Sequence, residues 1–279
     1  MAGIWDYSGA GDFMSDGGGG RAEAQQAVRR ARHAASQARS AAANRAYRES
    51  MILQMFAQPV RDCAYRCVGR PVYLLRAGRQ APLAELGLAQ LREGGFEISV
   101  VTVDQAGGGV AGDLRTVPMP ARSFDVVYCA LLLDRIAHVE LVLDRFVAAL
   151  RPGGLLLLRI RDRDCAAGLL GRLGGRLLPR RATRALWARL TPGRPAPLPA
   201  IYEKTASDRG IQAYMRLRGL IIVQRETAKT VPGGPDRLAR VVWRTCRLIG
   251  RLSGGRLTDA HDEVLYVIRK PEDRFARVV

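Results

Sequence analysis

Ser123-Phe124-Asp125-Val126-Val127-Tyr128-Cys129-Ala130, with Arg151-Pro152-Gly153-Gly154-Leu155-Leu156-Leu157-Leu158 some thirty residues on, decides the reading of this chain. Residues 124–129 are a short apolar run of the length and β-branched content of a buried strand. Val139, Val142, Leu143, Phe146, Val147 and Leu150 then recur at helical spacing and mark one face of a helix. The Pro-Gly-Gly sequence is a tight turn, and residues 155–160 follow as a second apolar strand. A strand, a helix and a strand in that order, with both strands apolar throughout, predict a parallel pair covered on both faces.

The same alternation extends in both directions. Upstream, Val72-Tyr73-Leu74-Leu75 reads as a strand, Leu83, Leu86 and Leu91 as a helix ended by Gly94-Gly95, and residues 98–103 as another strand. Downstream, residues 207–217 and 236–252 read as helices, and 219–225 and 263–269 as strands. Such repetition predicts an α/β, doubly wound, mostly parallel sheet. Residues 21–56 contain neither Gly nor Pro and are rich in Ala, Gln and Arg, which predicts an N-terminal helix. Its apolar face begins only near Tyr47, Met51, Ile52, Met55 and Phe56, so its end should dock while its start projects. The expected organisation is a disordered tail over 1–20, an N-terminal helical segment over 21–69 and an α/β domain over 70–279. A basic insertion over 164–205 interrupts that domain.

Gly112-Asp113-Leu114, Val117-Pro118-Met119-Pro120 and Ser123-Phe124-Asp125-Val126-Val127 together resemble the middle motif of class I S-adenosylmethionine (SAM)-dependent methyltransferases. Leu150-Arg151-Pro152-Gly153-Gly154 is similar to a later motif of that family. The closing Asp262-Glu263-Val264-Leu265-Tyr266-Val267 is similar to its last, antiparallel strand. The resemblance covers about 70–160 and 205–271 and implies a Rossmann-like methyltransferase fold with SAM as cofactor. It further implies that Gly78, Asp104, Asp113, Leu114 and Ala130 contact the cofactor. Asp104, at the end of the second strand, stands where the family holds the ribose hydroxyls, and Asp113 where it reads the adenine amino group. Asp134 and His138, in the loop after Cys129, are candidate general bases toward an acceptor hydroxyl. Asp134 also suits a cap or salt bridge at the helix beginning near His138.

Two departures bear on function. Where the family has an acid followed by Gly-x-Gly-x-Gly, this chain has Leu74-Leu75-Arg76-Ala77-Gly78-Arg79-Gln80, and only Gly78 remains. An arginine brings a Cβ and a long side chain to a place where backbone should approach the cofactor. Pairing of Arg76 or Arg79 with the cofactor carboxylate would partly replace the missing contacts, as would another carboxylate holding its amino group. Between Asp104 and Asp113 only eight residues remain, so the third strand should be absent or a stub. Two functional expectations follow. One is a SAM-dependent methyltransferase acting on a small-molecule, lipid-linked or glycan acceptor. The other is a catalytically inactive methyltransferase-like interaction protein that has lost SAM binding.

The net charge of +18 directs attention to anionic partners. Only three basic residues are lysines, so part of the arginine excess is compositional, and location matters more than the total. Residues 165–202 hold seven arginines and no acid; Leu169, Leu173, Leu177 and Trp187 lie beside Arg172, Arg176, Arg180, Arg181 and Arg184. Residues 165–190 therefore suit an anionic membrane surface or a lid over an acidic substrate. Few aromatics interleave with the arginines, which disfavours nucleic acid. No apolar stretch reaches the ~18–20 residues of a membrane span. The N-terminus lacks the basic-then-apolar order of a signal peptide, so a cytoplasmic protein, peripheral at most, is expected. Five cysteines exclude a disulfide scaffold, Cys63 and Cys67 read as buried thiols, and no metal ligand set is apparent.

Overall fold

The computed structural model describes residues 17–272, apart from 68, 79–81, 105–109, 112, 230–236 and all of 178–202 except 181 and 185. Helix α1 (Gly17–Arg66) takes in the glycines of the expected tail and runs on past Phe56 through Pro59. Its length is explained by what its last part buries. Ile52, Met55, Phe56, Val60, Cys63 and Ala64 recur at helical spacing and are each at least 97% covered. Burial of the larger of these stabilises by about 1.5–3 kcal/mol apiece, enough to carry the helix past a proline that removes one internal hydrogen bond.

Strand β1 (Val72–Ala77) leads to a short 3₁₀ turn (Leu83–Leu86) and then helix α2 (Leu88–Glu93). The leucine spacing predicts one helix here, and the structure divides it at Gly87. This residue adopts φ +63°, and a Cβ on it would sit 2.9 Å from the Cβ of Ala57. Close approach of α1 therefore requires the break. Strand β2 (Ile98–Asp104) is followed by β3 (Val110–Ala111), the two-residue stub expected from the short spacing. Then come β4 (Phe124–Ala130), a 3₁₀ turn (Leu133–Arg135), α3 (Val139–Ala149), β5 (Leu150–Arg161) and α4 (Ala166–Leu177). The chain closes with α5 (Asp208–Leu217), β6 (Ile221–Ala228), α6 (Arg237–Leu252) and β7 (Glu263–Arg269). Most of the basic insertion beyond α4, including Trp187 and the side chains of Leu177, Arg176, Arg180 and Arg184, lies outside the described residues.

The sheet order is β3-β2-β1-β4-β5-β7-β6. Strands β1 to β5 pair in parallel, and β7 runs antiparallel to both of its neighbours. Period-two alternation divides the core. Leu75, Ala77, Val127, Cys129, Leu156 and Leu158 pack with α3 and α5, while Leu74, Val126, Tyr128, Leu155 and Leu157 pack with α1 and α2. The fold is thus the expected doubly wound one, with β4 buried at every residue.

Asp125, the second residue of β4, lies at the end of the sheet opposite the strand ends that would hold a ligand. Its carboxylate accepts from Arg70 (2.7 and 2.9 Å), the Tyr73 amide (3.0 Å) and Arg151 (2.8 Å). Burial alone would raise its pKa, but the bonds from Arg70, Tyr73 and Arg151 outweigh it and hold the carboxyl below its ordinary range. The folded chain therefore takes up this proton less readily than the unfolded chain. The stabilisation is complete above the unfolded value of about 4 and is lost as acid titrates the folded carboxyl. Asp125→Asn should lower the urea midpoint at neutral pH, by roughly 2–3 kcal/mol of stability. It should also flatten the fall in stability between about pH 5 and pH 3; a variant with the same acid profile as the wild type would remove Asp125 as its source.

Candidate functional site

The carboxyl ends of β1, β2 and β4 lie side by side, because Ala77 pairs with Val103 on one side and Cys129 on the other. This is where an open α/β sheet offers a crevice. Gly78 closes β1 with φ +88°, its amide donating to the Val103 carbonyl at 2.8 Å, and a Cβ there would meet Leu132 at 3.3 Å. The one glycine kept from the first motif thus occupies a position that needs it. Arg76 does not lie in a turn: β1 continues through it, with Arg76 paired to Thr102 and Tyr128. Arg79 and Gln80 lie outside the described residues, as does the side chain of Asp104, whose backbone ends β2 opposite Ala111.

Asp113 begins the turn after β3. Its carboxylate takes a bidentate pair from Arg115 and a third bond from the Arg115 amide at 3.0 Å. The side-chain and backbone bonds from Arg115 lower its pKa to about 2. Arg145 of α3 donates to the carbonyls of Arg115 and Val117, which ties this turn to the helix. Leu114 is fully buried and Ala130 nearly so.

The loop from β4 to α3 is strained. Leu131 and His138 both adopt positive φ, 52° and 60°, a conformation that costs a non-glycine residue of order 1 kcal/mol or more. Between them sits Asp134, fully buried, with neither carboxylate oxygen hydrogen-bonded. Arg135 and Arg161 approach it only to 3.9 Å. Burial raises its pKa, and the two arginines offset this only in part. The structure does not bring Asp134 and His138 together as a pair, because the His138 side chain is exposed. Nor does Asp134 cap α3. Glu203 does, accepting from the His138 amide (2.7 Å) and the Val139 amide (3.0 Å). A carboxylate at a helix N-terminus satisfies donors that the helix cannot, and favours the dipole.

A second charged group under the same strand ends went unread in the sequence. Arg159 is buried in β5 and donates to Glu263 from Nε (2.9 Å) and Nη2 (2.8 Å), and to Glu85 from Nη1. Glu85 also accepts from the Tyr128 hydroxyl, whose pKa burial and the carboxylate together push well up. The signal was one charge inside Leu155-Leu156-Leu157-Leu158-Arg159-Ile160, which a buried strand does not tolerate unpaired. Among the described residues no group of three or more His, Cys, Asp or Glu is placed to hold a metal ion.

Residues 81–158, from just before the first 3₁₀ turn into β5, match a family model described as a methyltransferase domain. Curated protein sequences give no match. Among solved structures, the chain is similar to a putative sarcosine dimethylglycine methyltransferase from Galdieria sulphuraria. The identity is 11%, over 81% of this chain and 86% of that one, with TM-score 0.46. It is similar to the YcgJ protein from Bacillus subtilis at 14% identity over 77% and 99%, TM-score 0.45. A SAM-dependent methyltransferase from Archaeoglobus fulgidus is similar at 12% identity over 78% and 94%, TM-score 0.41. The domain match lies across β2 to β5 of a seven-stranded sheet in which, among the described strands, β7 alone runs antiparallel, so the chain carries a methyltransferase-domain match within a Rossmann-like methyltransferase fold.

Proposed function

We propose that this chain transfers the methyl group of SAM to a hydroxyl of a small-molecule, lipid-linked or glycan acceptor, with Asp134 taking the hydroxyl proton. The observation that carries the reading is Asp134 itself. A fully buried carboxylate with no hydrogen bond to either oxygen costs stability, and such cost is tolerated where a group is kept for chemistry. The strained loop around it supports the same reading. Gly78, Asp104, Leu114 and Ala130 would hold the cofactor, whose sulfonium supplies an activated methyl group when bound. The chain's remaining contribution is to align the acceptor and exclude water.

The competing reading is a methyltransferase fold without SAM, acting as an interaction protein. It is favoured by Asp113, whose carboxylate is already engaged by Arg115, and by Arg76 within β1. Calorimetric titration with SAM and with S-adenosylhomocysteine separates the two. Saturable heat is expected, and Asp104→Ala should weaken binding by roughly 1.5–3 kcal/mol, about 10- to 150-fold. Absence of both heat and thermal stabilisation at millimolar ligand would sink the methyltransferase reading.

A further inference from the structure

Helix α6 carries one face buried and one face bare. Cys246 is covered, and the helix lies beside α4, whose first residue is tied to the turn after α6 by the Ala166 amide donating to the Thr258 carbonyl at 2.9 Å. On the outer face Val241, Leu248 and Leu252 are 57%, 56% and 78% exposed. At 100° per residue these three fall within about 40° of one another. They form a single apolar ridge. Arg244, Arg247 and Arg251 are exposed along one flank of it, and with Trp243 and Leu248 they line an open groove of about 430 Å³. The Arg247 guanidinium lies over the Trp243 ring, 5.4 Å from its centroid. Residues 237–258 contain six arginines and no acid.

We infer that this face of α6 docks on an anionic membrane surface. The ridge would enter the boundary of headgroups and acyl chains while the arginines reach lipid phosphates along their apolar stems. Charge complementarity selects this occupant. A second copy of a chain with net charge +18 would bring like charges together on this face. Duplex DNA would use the arginines but leave the apolar ridge in water. The surface expected in residues 165–190 is thereby centred on α6, with Leu173 of neighbouring α4 exposed as well. The inference does not rest on the catalytic reading, because the face is built from residues outside the strand-end crevice.

The experiment is co-sedimentation of the full chain with phosphatidylglycerol–phosphatidylcholine vesicles, with pure phosphatidylcholine vesicles and with duplex DNA, each at two salt concentrations. The chain should partition onto the anionic vesicles, weakening as salt rises but retaining a salt-resistant part. Each arginine near such a surface strengthens binding roughly fivefold, so the triple variant R244Q/R247Q/R251Q should lose on the order of 100-fold. The variant V241S/L248S/L252S should lose the salt-resistant part. Both variants should keep the wild-type circular dichroism and melting temperature, since the changed side chains are exposed. Failure of the wild type to bind anionic vesicles, equal binding by R244Q/R247Q/R251Q, or stronger retention on DNA than on lipid would each overturn the inference.

Discussion

Arg159→Ala is expected to destabilise the fold by roughly 3–5 kcal/mol, the range for removing one partner of a buried ion pair. The guanidinium is 4% exposed and meets two carboxylates from opposite directions, Glu85 from the turn after β1 and Glu263 from the start of β7. Burial disfavours its charge, but Glu263 and Glu85 outweigh that effect and keep it a cation. Truncation removes the charge that Arg159 brings to both carboxylates in the interior, which costs more than the pair itself is worth. The comparison that isolates this cause is Arg159→Met combined with Glu85→Gln and Glu263→Gln. That combination should recover most of the loss, because no charge of this network remains buried. Urea unfolding of both variants measures the difference. A loss below about 1 kcal/mol for Arg159→Ala would mean that water reaches the carboxylates and the network is not sealed.

Asp134→Asn is the second large effect, expected on turnover and not on folding. With an acceptor that the wild-type protein methylates, kcat should fall by about 10²- to 10⁴-fold, the contribution of a positioned general base, while KM changes little. Since burial raises the pKa of this carboxyl, the acidic limb of the wild-type rate profile should lie above the ordinary carboxylate value of about 4. The same shift has a consequence for stability. A carboxyl that holds its proton more tightly when folded contributes its stability at low pH and loses it as pH rises past the unfolded value. The asparagine variant should therefore be at least as stable as the wild type at neutral pH. Unchanged kcat would take the base away from Asp134 and leave methyl transfer to alignment alone.

Much of the fold was legible because it follows from local pattern. Apolar runs of strand length, a helical face over 139–150 and the Pro152-Gly153-Gly154 turn allow little besides a parallel strand–helix–strand unit. Eight residues between Asp104 and Asp113 leave no room for a full helix and strand, so the stub at Val110–Ala111 was legible from chain length. The crevice was legible only as a place. Gly78 was found through its place in the family's first glycine motif, and the structure supplies the local reason, a positive φ over the Leu132 side chain.

Which charge meets which was decided by tertiary structure. Asp125 belongs to the motif that resembles the family, yet it ties Arg70, Tyr73 and Arg151 together away from the crevice. Glu203 caps α3 from 64 residues away, and Arg159 finds Glu263 at a separation of 104. Periodicity assigns a side chain to a face of its element, but not to the residue it meets there. That depends on strand register and on how loops return across the sheet. The bare ridge on α6 has the same origin. Its amphipathic pattern is written in the sequence, and the pattern alone predicts that one face is covered. Only the packing beside α4 settles that Cys246 faces inward while Val241, Leu248 and Leu252 remain in water.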